Sequence, residues 1–233
     1  MNDEQIETIF AAQVQNVREL VRAWKHLNRD VNAACLKSQS TSLRIETKLL
    51  ALVYCALAEA MFSKLIHTPK ALSADAILQI KQELAIAGVR EGWKKCVEIV
   101  LMAVAAKNSS HAPNVRKTLG HLIDEYIHDP SMLRNKIAHG QWVIALNREN
   151  TAVNEEISME IAELDVVELY RRKHALEMIC SIIEDLIKSP NRAHQRDYWV
   201  HTVELGEKQK QMKQWSLETK VEQLREKRSH TPE

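Results

Sequence analysis

The stretch Leu49-Leu50-Ala51-Leu52-Val53-Tyr54-Cys55-Ala56-Leu57-Ala58-Glu59-Ala60 decides what kind of chain this is. One charged residue interrupts a run that is otherwise apolar and contains neither glycine nor proline. A helix apolar around most of its circumference belongs at the centre of a structure rather than on its surface. The pattern starts at Leu43, continues to Leu65 and Ile66, and stops at Thr68-Pro69, because a residue before proline is pushed out of the helical region. No uninterrupted apolar run reaches the roughly 18 residues of a membrane span, so the expectation is a buried core helix with no membrane role.

The neighbours of this helix read as its wrapping. Upstream, Ile6, Ile9/Phe10, Val14, Val17, Leu20/Val21, Trp24 and Leu27 keep three-four spacing over residues 4–34, one long amphipathic N-terminal helix. Downstream, Ser73 is an N-cap, Gly88 and Gly92 permit a bend before Trp93, and residues 108–110 form a loop. Pro113 opens a further helix, Asp129-Pro130-Ser131 restarts the chain into a short one, and Gly140 ends that as a C′ residue. Alternation at Trp142, Ile144 and Leu146, a turn at residues 148–150, and Val153, Ile157, Met159 and Ile161 predict a β-hairpin over about 141–163. Asp165 caps a last bundle helix over residues 166–187, and Ser189-Pro190-Asn191 breaks it.

Composition agrees with a mainly α fold. In 233 residues there are 5 Gly and 5 Pro, with 45% hydrophobic and 27% charged residues, the balance of a globular chain with a full core. Lys plus Arg number 32 against 31 Asp plus Glu, a net charge of +1, so any nucleic-acid contact must be a local patch. Cys35, Cys55, Cys96 and Cys180 lie far apart in apolar or helical contexts and read as reduced core residues of a cytoplasmic protein; the acidic N-terminus shows no signal peptide. Two units are expected: residues 1–190 as a helical bundle containing the hairpin, and 191–233 as a helical C-terminal arm. The arm is polar, with sparse apolar points at Trp199, Val203, Met212, Trp215, Val221 and Leu224, and forms one long helix or two. It either packs on a partner subunit or stands solvated.

The chemistry-bearing segment is Leu133-Arg134-Asn135-Lys136-Ile137-Ala138-His139-Gly140. The five-residue Arg-to-His spacing alone says little, since Arg116/His121, Arg196/His201 and Arg225/His230 repeat it. Context separates them. Arg134 is followed by a polar Asn135, its helix is short, and a glycine leaves His139 at a lip; Asn135 and His139 are four apart and share a helix face. Arg116/His121 has a glycine inside its helix, and Arg225/His230 lies near the chain end. Arg196/His201 is the strongest decoy, because Tyr198 and Trp199 beside it could stack on a base.

The Arg-Asn-x-x-x-His arrangement closely resembles the signature of the HEPN family, metal-independent ribonucleases built on a helical bundle. The apolar run ending near Glu59 looks like the central helix of many HEPN domains, which often carries one acidic residue there. The resemblance covers about residues 40–188, leaving the first helix, the hairpin and the arm outside it. It implies an HEPN-like bundle in which Arg134, His139 and Asn135 are catalytic, with Glu59 and Lys136 supporting them. A carboxylate among apolar residues needs a partner, and Arg134 or Lys136 is the expected one. Histidine suits a base for the 2′-hydroxyl, and the permanently charged fork of arginine suits the phosphoryl oxygens. Asn135 would orient the imidazole or the phosphate. The family implies a homodimer with a composite site, RNA as substrate, a 2′,3′-cyclic phosphate product, and a setting in phage defence or as a toxin with an antitoxin or other defence-system partner. Arg171 and Arg172 are candidate RNA-binding cations.

Other chemistries recede. The remaining histidines lack zinc-ligand spacing, and no glycine-rich strand-to-helix turn exists for nucleotide triphosphates, so neither metal nor cofactor is expected. The tryptophans read as core or interface anchors. A second function class stands beside the nuclease: a non-catalytic HEPN-like helical module for dimerisation or for nucleotide or protein interaction.

Overall fold

The computed structural model describes residues 1–104 and 110–229. The apolar stretch lies in α2 (Ser40–Ile66), which forms a hairpin with the long α1 (Asp3–Leu36) through a short turn where Ser38 adopts φ 53°. Leu50, Ala51, Tyr54, Cys55, Leu57, Ala58, Phe62, Leu65 and Ile66 of α2 are all buried. By length and composition α2 could cross a bilayer; in the fold its apolar side chains are the centre of the bundle. Its opposite wall is α8 (Val166–Lys188), where Leu169, Ala175, Leu176, Ile179, Ile182 and Ile183 are buried. Asp165 caps α8 as expected, its carboxylate accepting from the Glu168 N–H at 2.8 Å.

Between them in sequence come α3 (Ala74–Ala87), α4 (Val89–Leu101) and α5 (His111–Ile123), of which α4 and α5 pack on α8 and α3 packs on α4. The chain turns between α3 and α4 at Gly88 alone, with φ 87°. Gly92 stays helical and serves close packing, since a Cβ there would meet the Leu84 side chain at 2.8 Å. The helix opened by Pro113 starts two residues earlier, at His111. Of the expected loop at 108–110, residues 108 and 109 lie outside the described residues.

Asp129-Pro130-Ser131 does not restart the chain. A π-helical turn (Asp124–His128) carries α5 directly into α6 (Asp129–Ala138). Pro130 lacks the N–H that would bond the carbonyl of residue 126 in a continuous helix. The buried Tyr54 hydroxyl of α2 donates to that Tyr126 carbonyl instead, and the Ser131 hydroxyl donates to the His128 carbonyl at 2.6 Å. Partners from outside the ladder therefore let the helix pass through its proline.

The hairpin expected over 141–163 is shorter. Only β1 (Ala145–Leu146) and β2 (Val153–Asn154) pair, antiparallel, with Ala145 opposite Asn154 and Leu146 opposite Val153. Residues 155–163 are α7 (Glu155–Glu163). Asn154 caps it by accepting from the Ile157 N–H at 3.0 Å, Glu155 and Glu156 suit its positive N-terminus, and Ile157 and Ile161 are helical neighbours. Ala145 and Ile161 join Leu133 and Ile137 of α6 in a second small core, flanked by Leu52, Trp142 and Ile157.

The C-terminal segment is two helices, α9 (Ala193–Met212) and α10 (Leu217–Ser229), and neither is a free arm. Tyr198 and Leu205 of α9 belong to the main core, and Leu217, Val221 and Leu224 of α10 pack against it. The core thus runs across the boundary expected at residue 190. Met212 is buried as the pattern suggested, but Trp199 and Val203 are 63% and 54% exposed. The inward face of α9 is instead His194, Tyr198, Leu205 and Met212, because polar-rich periodicity left its phase ambiguous.

Candidate active site

Helix α6 is fixed at both ends. At its start, Tyr54 and the π-turn seat Pro130, whose carbonyl lies 3.5 Å from the Cys55 thiol. At its end, Gly140 takes φ 82° and donates to the Ile137 carbonyl at 3.1 Å, while Gln141 donates to the Lys136 carbonyl at 3.0 Å. These two bonds are the Schellman pattern, which spends the last carbonyls and stops the helix after His139. The Trp142 indole N–H adds a bond to the Ile137 carbonyl at 2.9 Å. With Leu133 and Ile137 turned into the small core, Asn135 and His139 lie toward solvent and Arg134 is half-buried.

Arg134 meets Glu59 across the α2–α6 junction, its Nη2 donating to Oε1. Arg134 rather than Lys136 is therefore the carboxylate's partner. Glu59 is 54% exposed, so the pair is a rim contact worth at most about 1 kcal/mol rather than a buried charge couple. The Arg134 guanidinium also stands close enough to Cys55, one turn before Glu59 on α2, to act on its thiol electrostatically. Burial pushes the Cys55 thiol up to about 12, with Arg134 opposing that rise. The Arg134 Nε is buried with no hydrogen-bond partner, so part of the guanidinium's donor capacity is unspent. Sequence reasoning placed Cys55 in the core without linking it to Arg134; its four-residue spacing from Glu59 was the available signal.

His139 is the C-cap of α6 and is exposed, as is Asn135. Helical geometry sets Arg134 and His139 about 140° and about 7.5 Å apart along the axis. Beside Glu59, between α1 and α2, runs a groove of about 500 Å³ that includes Gln13, Asn16 and Glu19.

The other supporting residues point elsewhere. Lys136 Nζ donates to the Leu146 carbonyl at 2.5 Å, tying α6 to β1. Arg171 and Arg172 both bind Glu168, through Nε at 2.7 and 3.0 Å, and Arg171 also reaches the Met212 carbonyl at 3.3 Å. Burial would raise the Glu168 carboxyl; the two guanidiniums overcome that and hold it below its usual value. These arginines anchor α8 and the C-terminal segment, and each is about four-fifths buried.

The decoys are accounted for by their partners. Arg196 chelates Asp197 with two bonds of 2.7 Å, and His201 Nε2 lies 3.1 Å from Asp185. Arg116 approaches Glu98 at 3.5 Å, and His230 lies outside the described residues. Among the described residues, no group of three or more His, Cys, Asp or Glu side chains could hold a metal ion. Comparison with protein-family models, with curated proteins and with solved structures returned no match.

Proposed function

We propose that this chain is a metal-independent endoribonuclease of HEPN type, working as a homodimer in phage defence or as a toxin in the cytoplasm. The observation that carries the reading is the arrangement on α6: Arg134 held by Glu59 of the central helix, and His139 left exposed at a lip made by the Gly140 stop. His139 takes the proton of a substrate 2′-hydroxyl as its oxygen attacks the adjacent phosphorus, and Arg134 stabilises the charge growing on the phosphoryl oxygens. The 5′-oxygen of the next nucleotide leaves with a proton, giving a 2′,3′-cyclic phosphate and a 5′-hydroxyl. A second copy of the chain supplies the other acid–base group. Met132, Val143, Ile144, Val153 and Met159 are exposed apolar residues on α6, on the segment that follows it, and on β2 and α7, and offer that copy a face. Asn135 orients the substrate or the imidazole.

A second reading has its own support. Arg134 is already engaged with Glu59, as it would be in a purely structural brace between α2 and α6. Single-stranded RNA incubated with the protein and EDTA between about pH 6 and 8 separates the two. The nuclease predicts cleavage with cyclic-phosphate ends, lost in both Arg134→Ala and His139→Ala, from a species that light scattering reports as a dimer. Intact RNA with the wild-type dimer, or cleavage that survives both substitutions, overturns it in favour of the brace.

A further inference from the structure

The groove between α5 and α9 differs chemically from its neighbours on the surface described. It encloses about 530 Å³, and one wall is a single face of α5, where His111, Asn114, Lys117, Thr118 and His121 follow three-four spacing over almost three turns. The other wall is Tyr198, Trp199 and Thr202 of α9. Among the described residues no carboxylate lines it. The neighbouring groove between α4 and α5 also has Lys94 and Lys95, but there Asp124 and Glu98 neutralise them at 2.7 and 3.4 Å. Lys117 stands on the ridge between the two grooves, exposed and in no ion pair among the described residues.

The aromatic wall is braced from beneath. His194 is fully buried, and its Nε2 shares a hydrogen bond with Nε2 of His111 at 3.3 Å. The Tyr198 ring packs edge-on against His111 at 5.6 Å and against Trp199 at 5.4 Å. Trp199 is thereby supported on one side while remaining 63% exposed. An exposed indole supported by a packed ring, facing a row of cationic and hydrogen-bonding side chains without any acid, matches an anion that carries a flat aromatic group.

We infer that this groove binds a nucleotide unit, with the base stacked on Trp199 and the phosphate held by Lys117 and His121, separately from the Arg134/His139 site. Asn114, Thr118 and Thr202 supply donors and acceptors for the sugar and base edges. Stacking on an indole tolerates any base, so the site takes sequence-independent single strands or free mononucleotides. It does not depend on cleavage, and it stands whether or not α6 is catalytic.

The test uses the full chain and a fluorescein-labelled single-stranded DNA of about 12 nucleotides, a length within the range of strand-binding grooves. Lacking 2′-hydroxyls, this probe cannot be cut by the proposed chemistry, so binding and catalysis are read apart. Anisotropy should report binding that Trp199→Ala weakens about tenfold and Trp199→Phe largely restores, the signature of stacking rather than of folding. Lys117→Ala should flatten the dependence of log affinity on log salt by about 0.7, the loss of one phosphate contact on a single strand. Competition by AMP identifies a mononucleotide as the occupant, and failure of AMP to compete identifies a strand. No binding of either probe, or equal binding by the wild type, Trp199→Ala and Lys117→Ala, overturns the inference.

Discussion

Lowering the pH should loosen α9 through a single imidazole. His194 is completely buried, and burial, reinforced by the neighbouring His111 ring, brings its pKa down to about 4. In the unfolded chain a histidine titrates near 6.5. A base whose folded pKa lies below its unfolded value favours folding only while neutral. Its contribution is complete above about pH 6.5 and drains away as the pH falls towards 4. Between pH 7 and pH 4.5 the difference in proton binding amounts to at most about 2.4 kcal/mol. For a chain of this size that corresponds to a fall in Tm of about 5–10 °C. His67 and His174 are also shifted down by burial and add to the slope, so the informative quantity is a difference between proteins. Thermal unfolding followed by circular dichroism across this range should show the wild type losing stability relative to His194→Phe as the pH falls, because phenylalanine fills the aromatic cluster but cannot titrate. Parallel profiles over the whole range, or a difference that changes only below pH 4, would refute the reasoning.

Three further outcomes follow from the same geometry. Gly140→Ala should cost about 1–2 kcal/mol in urea unfolding, because φ 82° strains any L side chain although the space around it is open; a neutral result would mean the helix stop is not held in that conformation. Tyr54→Phe should cost about 1–3 kcal/mol with an unchanged m-value, since it strips the buried Tyr126 carbonyl of the hydroxyl that replaces the missing Pro130 donor. All four cysteines are free and buried, and burial pushes Cys55 and Cys96 up to about 12. Ellman's reagent at pH 8 should therefore react slowly with the native protein and rapidly in urea, and one fast thiol in the native state would contradict that burial.

What could be read from the residues was whatever local chemistry determines. The apolar circumference of α2, the Asp165 cap and the Gly140 stop each depend on side chains within a few positions, and each stands where the pattern put it. The partner of Glu59 was narrowed to two cations, and distance chose Arg134. Lys136 was misplaced because it stands two residues beyond Arg134, a rotation of about 200° around the helix, which sends it to the Leu146 carbonyl instead. The hairpin was overextended because Ile157, Met159 and Ile161 alternate, and alternation over so few residues cannot outweigh the Asn154 cap. Arg171 and Arg172 looked available because their shared carboxylate, Glu168, is visible in sequence only as a helical neighbour. The proline at 130 was read as a break because the donor that rescues it, Tyr54, lies 72 positions before the carbonyl it serves.

The π-turn at residues 124–128 sets a phase. Relative to an α-helix of equal length it underwinds the backbone by about one residue, roughly 100°. Without that slack α6 would present a different side to α2, and the arginine would sweep past the glutamate like a key cut one notch off. The angular setting of Arg134 is thus stored upstream, in a segment that Arg90 and Lys94 clamp through Asp124 at 2.7 Å each. A single-residue insertion or deletion there could retune the motif's bearing while leaving every motif residue intact.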